Sequence, residues 1–232
     1  MSGIHALVFT KDRPLQLDAF LRSAKKYAPY DLIRICDTSG AAFEQYVRLF
    51  LAQHERVVFH TDDDVFFRRI SADHSHRQDA VRSFRLGRNT LYQHTTGRRQ
   101  RVPSNFPWRW HNAEGDFGYP LCLNATVYRS ADLLPLLDFH FDNPTSLEAQ
   151  LAAKADEFAP EWMTAPLHSC CVSIPYNRVT TGSRNPISDN PAHSAEALQA
   201  LWDEGYRLDL DAMDFSSVIG AHQVIEPRFY RV

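Results

Sequence analysis

Only 4 of the 232 residues are cysteines, and none stands at a metal-binding spacing. Cys36 and Cys122 are isolated, and Cys170 and Cys171 are adjacent. A zinc ribbon or finger is therefore excluded, and reduced thiols in a cytoplasmic protein are the expectation. Glycine is sparse too, at 9 residues, and no glycine-rich phosphate loop follows the first apolar segment. The apolar runs fall far short of a bilayer span. The first residues carry neither a basic start nor a small-residue cleavage site, so no secretory leader is expected. Charge of one sign is lacking as well. With 25 basic and 28 acidic residues the net charge is −3, which removes any global attraction to nucleic acid or an anionic membrane. There are no repeats, low-complexity tracts or clear linkers. The length suffices for one large α/β domain with a sizeable core, spanning 1–232.

What is present is an ordered alternation in the first quarter of the chain. Ile4 to Thr10 reads as a buried strand ending in Thr10-Lys11-Asp12-Arg13-Pro14. Pro14 suits the first position of a helix, where Leu17, Phe20, Leu21, Ala24 and Ala28 recur at helical spacing. Leu32 to Cys36 is a second strand, closing on Asp37-Thr38-Ser39-Gly40. A helix with Phe43, Val47, Phe50 and Leu51 on one face follows, then a strand from Arg56 to Thr61. This β-α-β-α-β order predicts a mostly parallel central sheet flanked by helices, of Rossmann-like type. Ligands of such sheets bind beyond the carboxyl ends of the strands, where all three polar clusters fall.

Further along, the pattern is weaker. Ala80 to Leu86 reads as a strand or short helix, and Gly87 to His111 as a long loop. Leu121 to Tyr128 is expected as a strand, Ser130 to Leu137 as a short helix, Thr145 to Phe158 as a longer one, and Cys170 to Ile174 as a strand. Asn177 to Pro191 is polar and turn-rich. Ser194 is the expected N-cap of a helix running through Glu204, with Gly205 at its end.

The chemistry concentrates in Val57-Val58-Phe59-His60-Thr61-Asp62-Asp63-Asp64-Val65-Phe66-Phe67. Three consecutive carboxylates beside apolar neighbours are costly unless something positive sits among them. A hard divalent cation such as Mg²⁺ or Mn²⁺ meets that need and keeps positions open for phosphate. The competing reading is a solvated acidic turn.

Together these residues resemble a nucleotide-sugar-dependent glycosyltransferase of the GT-A type, in particular bacterial members of this length. The resemblance rests on Phe9-Thr10-Lys11-Asp12-Arg13-Pro14, the triple aspartate, Ser83-Phe84-Arg85-Leu86-Gly87-Arg88-Asn89, Gly118-Tyr119-Pro120, Asn143-Pro144 with Leu147-Glu148, and Pro175-Tyr176-Asn177-Arg178-Val179. These occur in the expected order over most of the chain. One departure stands out: after Gly118-Tyr119-Pro120 the family pattern has Asp-Gly, where this chain has Asn124-Ala125.

The resemblance implies a donor nucleoside diphosphate sugar, a hydroxyl acceptor and a Mn²⁺ or Mg²⁺ cofactor. It also implies a nucleotide- and metal-binding half over 1–115 and an acceptor half over 116–232. Asp62 and Asp64 are two apart, so on an extended segment they share a face. Asp64 is expected as the main metal ligand, Asp62 as a direct or water-mediated ligand or ribose contact, and Asp63 as a contact either of the metal's ligands or of the sugar. His222 is expected to complete the metal shell. Thr10, Arg13 and Asp37 are candidates for the base, ribose or phosphates, and Arg85 and Arg88 for the diphosphate, which a guanidinium fork suits. Glu148 and Asp116 are candidates for the base that takes the acceptor proton. For Glu148 a structural role competes, because Thr145-Ser146-Leu147-Glu148 has the form of a capping box. Trp108-Arg109-Trp110 is either an acceptor lid or a cover over the core. Asp73-His74-Ser75-His76 lacks a distant ligand pair and reads as a solvated loop rather than a zinc site.

Three other functions remain open on sequence. A sugar-phosphate nucleotidyltransferase would want glycines after the first strand. A catalytically silent nucleotide-sugar-binding relative is suggested by Asn124-Ala125. A nucleic-acid binder would use Arg82, Arg85, Arg88, Arg98, Arg99 and Arg101 with Phe106, Trp108 and Trp110.

Overall fold

The computed structural model describes residues 3–28, 30–40, 42–70, 79–179 and 186–232. The Asp73-His74-Ser75-His76 stretch and residues 180–185 lie outside the described residues. In chain order the strands are β1 (Ile4–Thr10), β2 (Tyr30–Asp37), β3 (Arg56–Thr61), β4 (Asp64–Phe66), β5 (Ala80–Ser83), β6 (Tyr92–Gln93), β7 (Arg98–Arg99), β8 (Trp108–Arg109), β9 (Thr126–Arg129), β10 (Trp162–Thr164), β11 (Cys171–Ser173), β12 (Tyr206–Leu208) and β13 (Phe229–Arg231). The helices are α1 (Pro14–Tyr27), α2 (Phe43–Gln53), α3 (Ser130–Leu133), α4 (Pro144–Ala153) and α5 (Ala195–Asp203).

Seven strands form the central sheet in the order β2-β1-β3-β9-β5-β10-β8. β2, β1 and β3 are mutually parallel, as the two helical crossovers require. β9 runs antiparallel to both β3 and β5, β10 is parallel to β5, and β8 is antiparallel to β10. Five strands therefore point one way and two the other, giving a mostly parallel, Rossmann-like α/β domain. β1 and β3 are apolar on both faces because both faces are covered. Leu7, Phe9, Val57 and Phe59 pack with Val47 and Phe50 of α2, whereas Ala6, Val8 and Val58 pack with Phe20 and Ala24 of α1. β2 forms one margin of the sheet, and Asp31, Arg34, Ile35 and Asp37 along it are exposed.

One small ladder and one isolated bridge outside the main sheet set the geometry of the site. β4 pairs antiparallel with β11, so that Asp64 lies opposite Ser173. A single parallel bridge then sets Ser173 beside His222. Asp64, Ser173 and His222, far apart in sequence, thus form one row.

The second half departs from expectation in two places. The strand expected over 121–128 forms only from Thr126, running Thr126–Arg129; the preceding turn places Ala125 at φ 48°. The helix expected through Phe158 ends at Ala153 and gives way to a 3₁₀ turn over Ala155–Glu157. Trp108 and Trp110 are buried in the core, their indole N–H groups donating to the carbonyls of Phe117 at 2.9 Å and Pro160 at 2.8 Å. They are a core cover and not a lid over an acceptor. All four cysteines are free and buried. Among the described residues, no helix is long and apolar enough to cross a membrane.

Candidate active site

A cleft of about 150 Å³ opens at the carboxyl ends of β1 and β3. Arg13, Thr61 and Asp63 reach it from the first half of the chain, and Asn124, Glu148, Asn177 and His222 from the second. Of the acid triplet, only Asp63 lines it. β3 ends at Thr61 and residues 62 and 63 make a turn before β4, so the backbone is not extended through the triplet. Asp62 and Asp64 therefore do not share a face.

All three carboxylates have partners, and Arg13 serves the first two. Asp62 is fully buried, closed in by an ion pair with Arg13 and a hydrogen bond from the Thr10 hydroxyl at 2.8 Å. Burial pushes its carboxyl up to about 6 against the pull of Arg13. Asp63 accepts from the Thr61 hydroxyl at 2.5 Å and has the Arg13 guanidinium at 3.9 Å. Arg13 is thus the positive group that the triplet's first two acids require. Replacing Arg13 by Ala would strand a buried charge, with an expected cost of about 3–5 kcal/mol. Chemical denaturation should show most of that stability restored in the double variant Arg13→Ala with Asp62→Asn.

Asp64 is also fully buried. Its Oδ1 accepts from Ser173 Oγ at 2.5 Å and Asn124 Nδ2 at 3.3 Å, and its Oδ2 lies 2.7 Å from His60 Nδ1. Burial acts to raise its carboxyl, but the His60 contact, Arg85 and Ser173 together hold it below the ordinary range. Arg85 sits beneath the cleft, only 4% exposed. Its guanidinium donates to Ser173 Oγ at 2.8 Å, to the Asn124 carbonyl at 3.2 Å and to Cys122 Sγ at 2.6 Å, and lies 3.0 Å from His222 Nε2. Burial and the neighbouring guanidinium hold the His222 imidazole well below its usual value, so it is neutral and able to act as a ligand.

Glu148 corrects a sequence expectation. The N-cap of α4 is Asn143, whose side chain accepts from Ser146 N at 2.9 Å, while Ser146 Oγ accepts in return from Asn143 N at 3.2 Å. The capping box is complete without Glu148, which is free to face the cleft. Its Oε1 accepts from Leu123 N at 3.2 Å, and burial raises its carboxyl above the ordinary range. Asp116 is placed elsewhere, accepting from Gln100 Nε2 at 3.0 Å and outside the cleft lining. Asp37 is exposed and caps its own turn, accepting from Ser39 N and Oγ at 2.9 and 2.6 Å. Arg88 is exposed and lies over the Phe106 ring, away from the cleft.

The Asn124-Ala125 departure has a physical reading. Ala125 occupies a left-handed conformation that glycine adopts without cost. Asn124 donates its amide to Thr61 Oγ1 and toward Asp64, where an aspartate would set one carboxylate against another. Three residues at the site, His60, Ser173 and Cys122, carried no role on sequence; each lies in an apolar run and reads as core. Arg82 and Arg85 are buried, as are Trp108 and Trp110. Those four side chains are therefore withdrawn from any surface for nucleic acid, whereas Arg88, Arg98, Arg99 and Arg101 are exposed.

No family model matches the chain, and no curated protein does. Among solved structures, the chain is similar to the crystal structure of S. aureus TarS, at 15% identity and a TM-score of 0.41 over 71% of this chain. The match spans 35% of that structure, and likeness at this level carries no argument about activity.

Proposed function

We propose that the chain is a GT-A-type glycosyltransferase that moves a sugar from a nucleoside diphosphate sugar to an acceptor hydroxyl. The observation that carries this reading is the placement of Glu148, a carboxylate with a raised pKa, in one cleft with Arg13, Asp63 and His222 at the strand ends. A base with a pKa lifted toward neutrality suits removal of a hydroxyl proton. In a single displacement, the acceptor oxygen bonds to the sugar's anomeric carbon, the bond to the diphosphate breaks, and Glu148 takes the hydroxyl proton. Arg13, which lines the same cleft, would oppose the negative charge gathering on the diphosphate. The first half of the chain then serves the nucleotide and the second half the acceptor.

The resemblance to GT-A enzymes implies a divalent cation, and the types of donor present suit one. Carboxylate, hydroxyl and imidazole stand in a row at Asp64, Ser173 and His222, and neutral imidazole favours Mn²⁺ over Mg²⁺. In this conformation Arg85 supplies the charge between them. Asp64 and His222 would hold the cation, with Asp63 at the rim; Asp62 is closed in by Arg13 and Thr10 and serves to position that arginine. When bound, the cation would neutralise the departing diphosphate as a Lewis acid.

Thermal-shift screening of nucleoside diphosphates and their sugars, with and without Mn²⁺, tests the proposal. At least one is expected to raise Tm, and more so with the metal, since a ligand that binds only the folded state stabilises it. No shift from any nucleotide under either condition would remove the reading.

A further inference from the structure

A buried contact chain behind Asp64 has no part in the chemistry described so far. His60 occupies the penultimate position of β3 and is fully buried. Its ring is packed by Phe20, Tyr30 and Phe66, with centroids 4.7, 5.6 and 5.5 Å away. One nitrogen, Nδ1, lies 2.7 Å from Asp64 Oδ2, and the other, Nε2, lies 2.7 Å from the Tyr30 hydroxyl. A carboxylate only accepts, so Nδ1 carries hydrogen and donates to Asp64. Nε2 shares the second hydrogen bond with the Tyr30 hydroxyl, so both ring nitrogens have a partner.

We infer that His60, held by Tyr30, is a positioning residue that occupies one oxygen of Asp64 and so fixes the other, Oδ1, toward the proposed cation site. The inference rests on the metal reading of Asp64 and His222. Two observations beyond the contact itself support it. The two carboxylate oxygens are divided without overlap: Oδ2 belongs to His60, whereas Oδ1 turns to Ser173 and Asn124, on the side of Arg85 and His222. A histidine is also costly in an aromatic cage unless both nitrogens are satisfied, and here both are. Partners of this kind behind a ligand orient it and raise its affinity for metal. Cys171 completes a buried trio with His60 and Asp64. Burial holds its thiol well above the usual range, and both His60 nitrogens are engaged, so the trio is a polar knot and not a metal centre of its own.

The test is a Mn²⁺ titration of the full chain, followed by the electron paramagnetic resonance signal of the free ion. Replacing His60 by Phe removes the donor and is expected to weaken Mn²⁺ binding by roughly 10- to 100-fold. His60→Asn retains an N–H near the Nδ1 position and should recover most of that loss. Tyr30→Phe deletes one hydroxyl and should weaken binding by a smaller factor. A folded His60→Phe protein that binds Mn²⁺ as the wild type does would overturn the inference. If that variant fails to fold, undiminished binding by Tyr30→Phe overturns it instead. Absence of Mn²⁺ binding in the wild type strikes the metal reading itself, and leaves His60 as a core residue.

Discussion

Replacing Glu148 by Gln is expected to cut turnover by roughly 10²- to 10⁴-fold, the usual contribution of a positioned base. The fold should survive, because the glutamine carbonyl can still accept from Leu123 N, which donates to Glu148 at 3.2 Å. The stability effect has a definite sign. A carboxyl whose pKa is raised in the folded state favours folding at low pH, and that contribution is lost as pH rises through the raised value. The variant should therefore be more stable than the wild type at pH 8 and indistinguishable from it at pH 3. Melting curves at the two pH values check this. The acidic limb of the wild-type rate profile should lie above the ordinary carboxylate range and vanish in the variant. Unimpaired turnover would show that Glu148 is not the base.

Asp64→Asn should abolish Mn²⁺-dependent stabilisation by nucleotide and lower turnover by about 10²-fold or more, since a bound cation contributes several kcal/mol to a charged transition state. Asn is the informative substitution. Ala would leave Ser173, Asn124 and His60 without their common acceptor, and Arg85 without a nearby carboxylate, so it would confuse folding with function. Thermal shift in paired samples with Mn²⁺ and with chelator separates the two effects. A variant that keeps the full metal-dependent shift would remove Asp64 from the site.

The first half of the fold was legible because its signals are local. Pro14 opens α1, the stripe Phe43, Val47, Phe50 and Leu51 faces inward on α2, and β1 and β3 begin and end where the apolar runs do. α1 differs in detail: Leu15, Ala19 and Phe20 bury more than Leu17 or Leu21, because β4 and β12 also pack on it and rotate its inner face. The second half was less legible because its strands are two to four residues long and held by partners distant in sequence. No periodicity announces that Asp64 will lie opposite Ser173, or Ser173 beside His222. The site was half legible for the same reason. The residue types were visible, but which acid faces the cleft depends on a turn at 62 and 63 and on Arg13 folding back over Asp62. The Glu148 assignment is instructive. Thr145 looked like the cap, yet Asn143-Pro144, an N-cap residue followed by proline at the first helical position, was the stronger signal.

The exposed rim formed by β2 has a consequence for solubility. A marginal strand offers its unpaired amides and carbonyls to any passing extended peptide, and alternating charge is one guard against such templated stacking. Asp31, Arg34 and Asp37 stand along this rim around the exposed Ile35. Neutralising them together would leave a bare apolar ribbon prone to self-association.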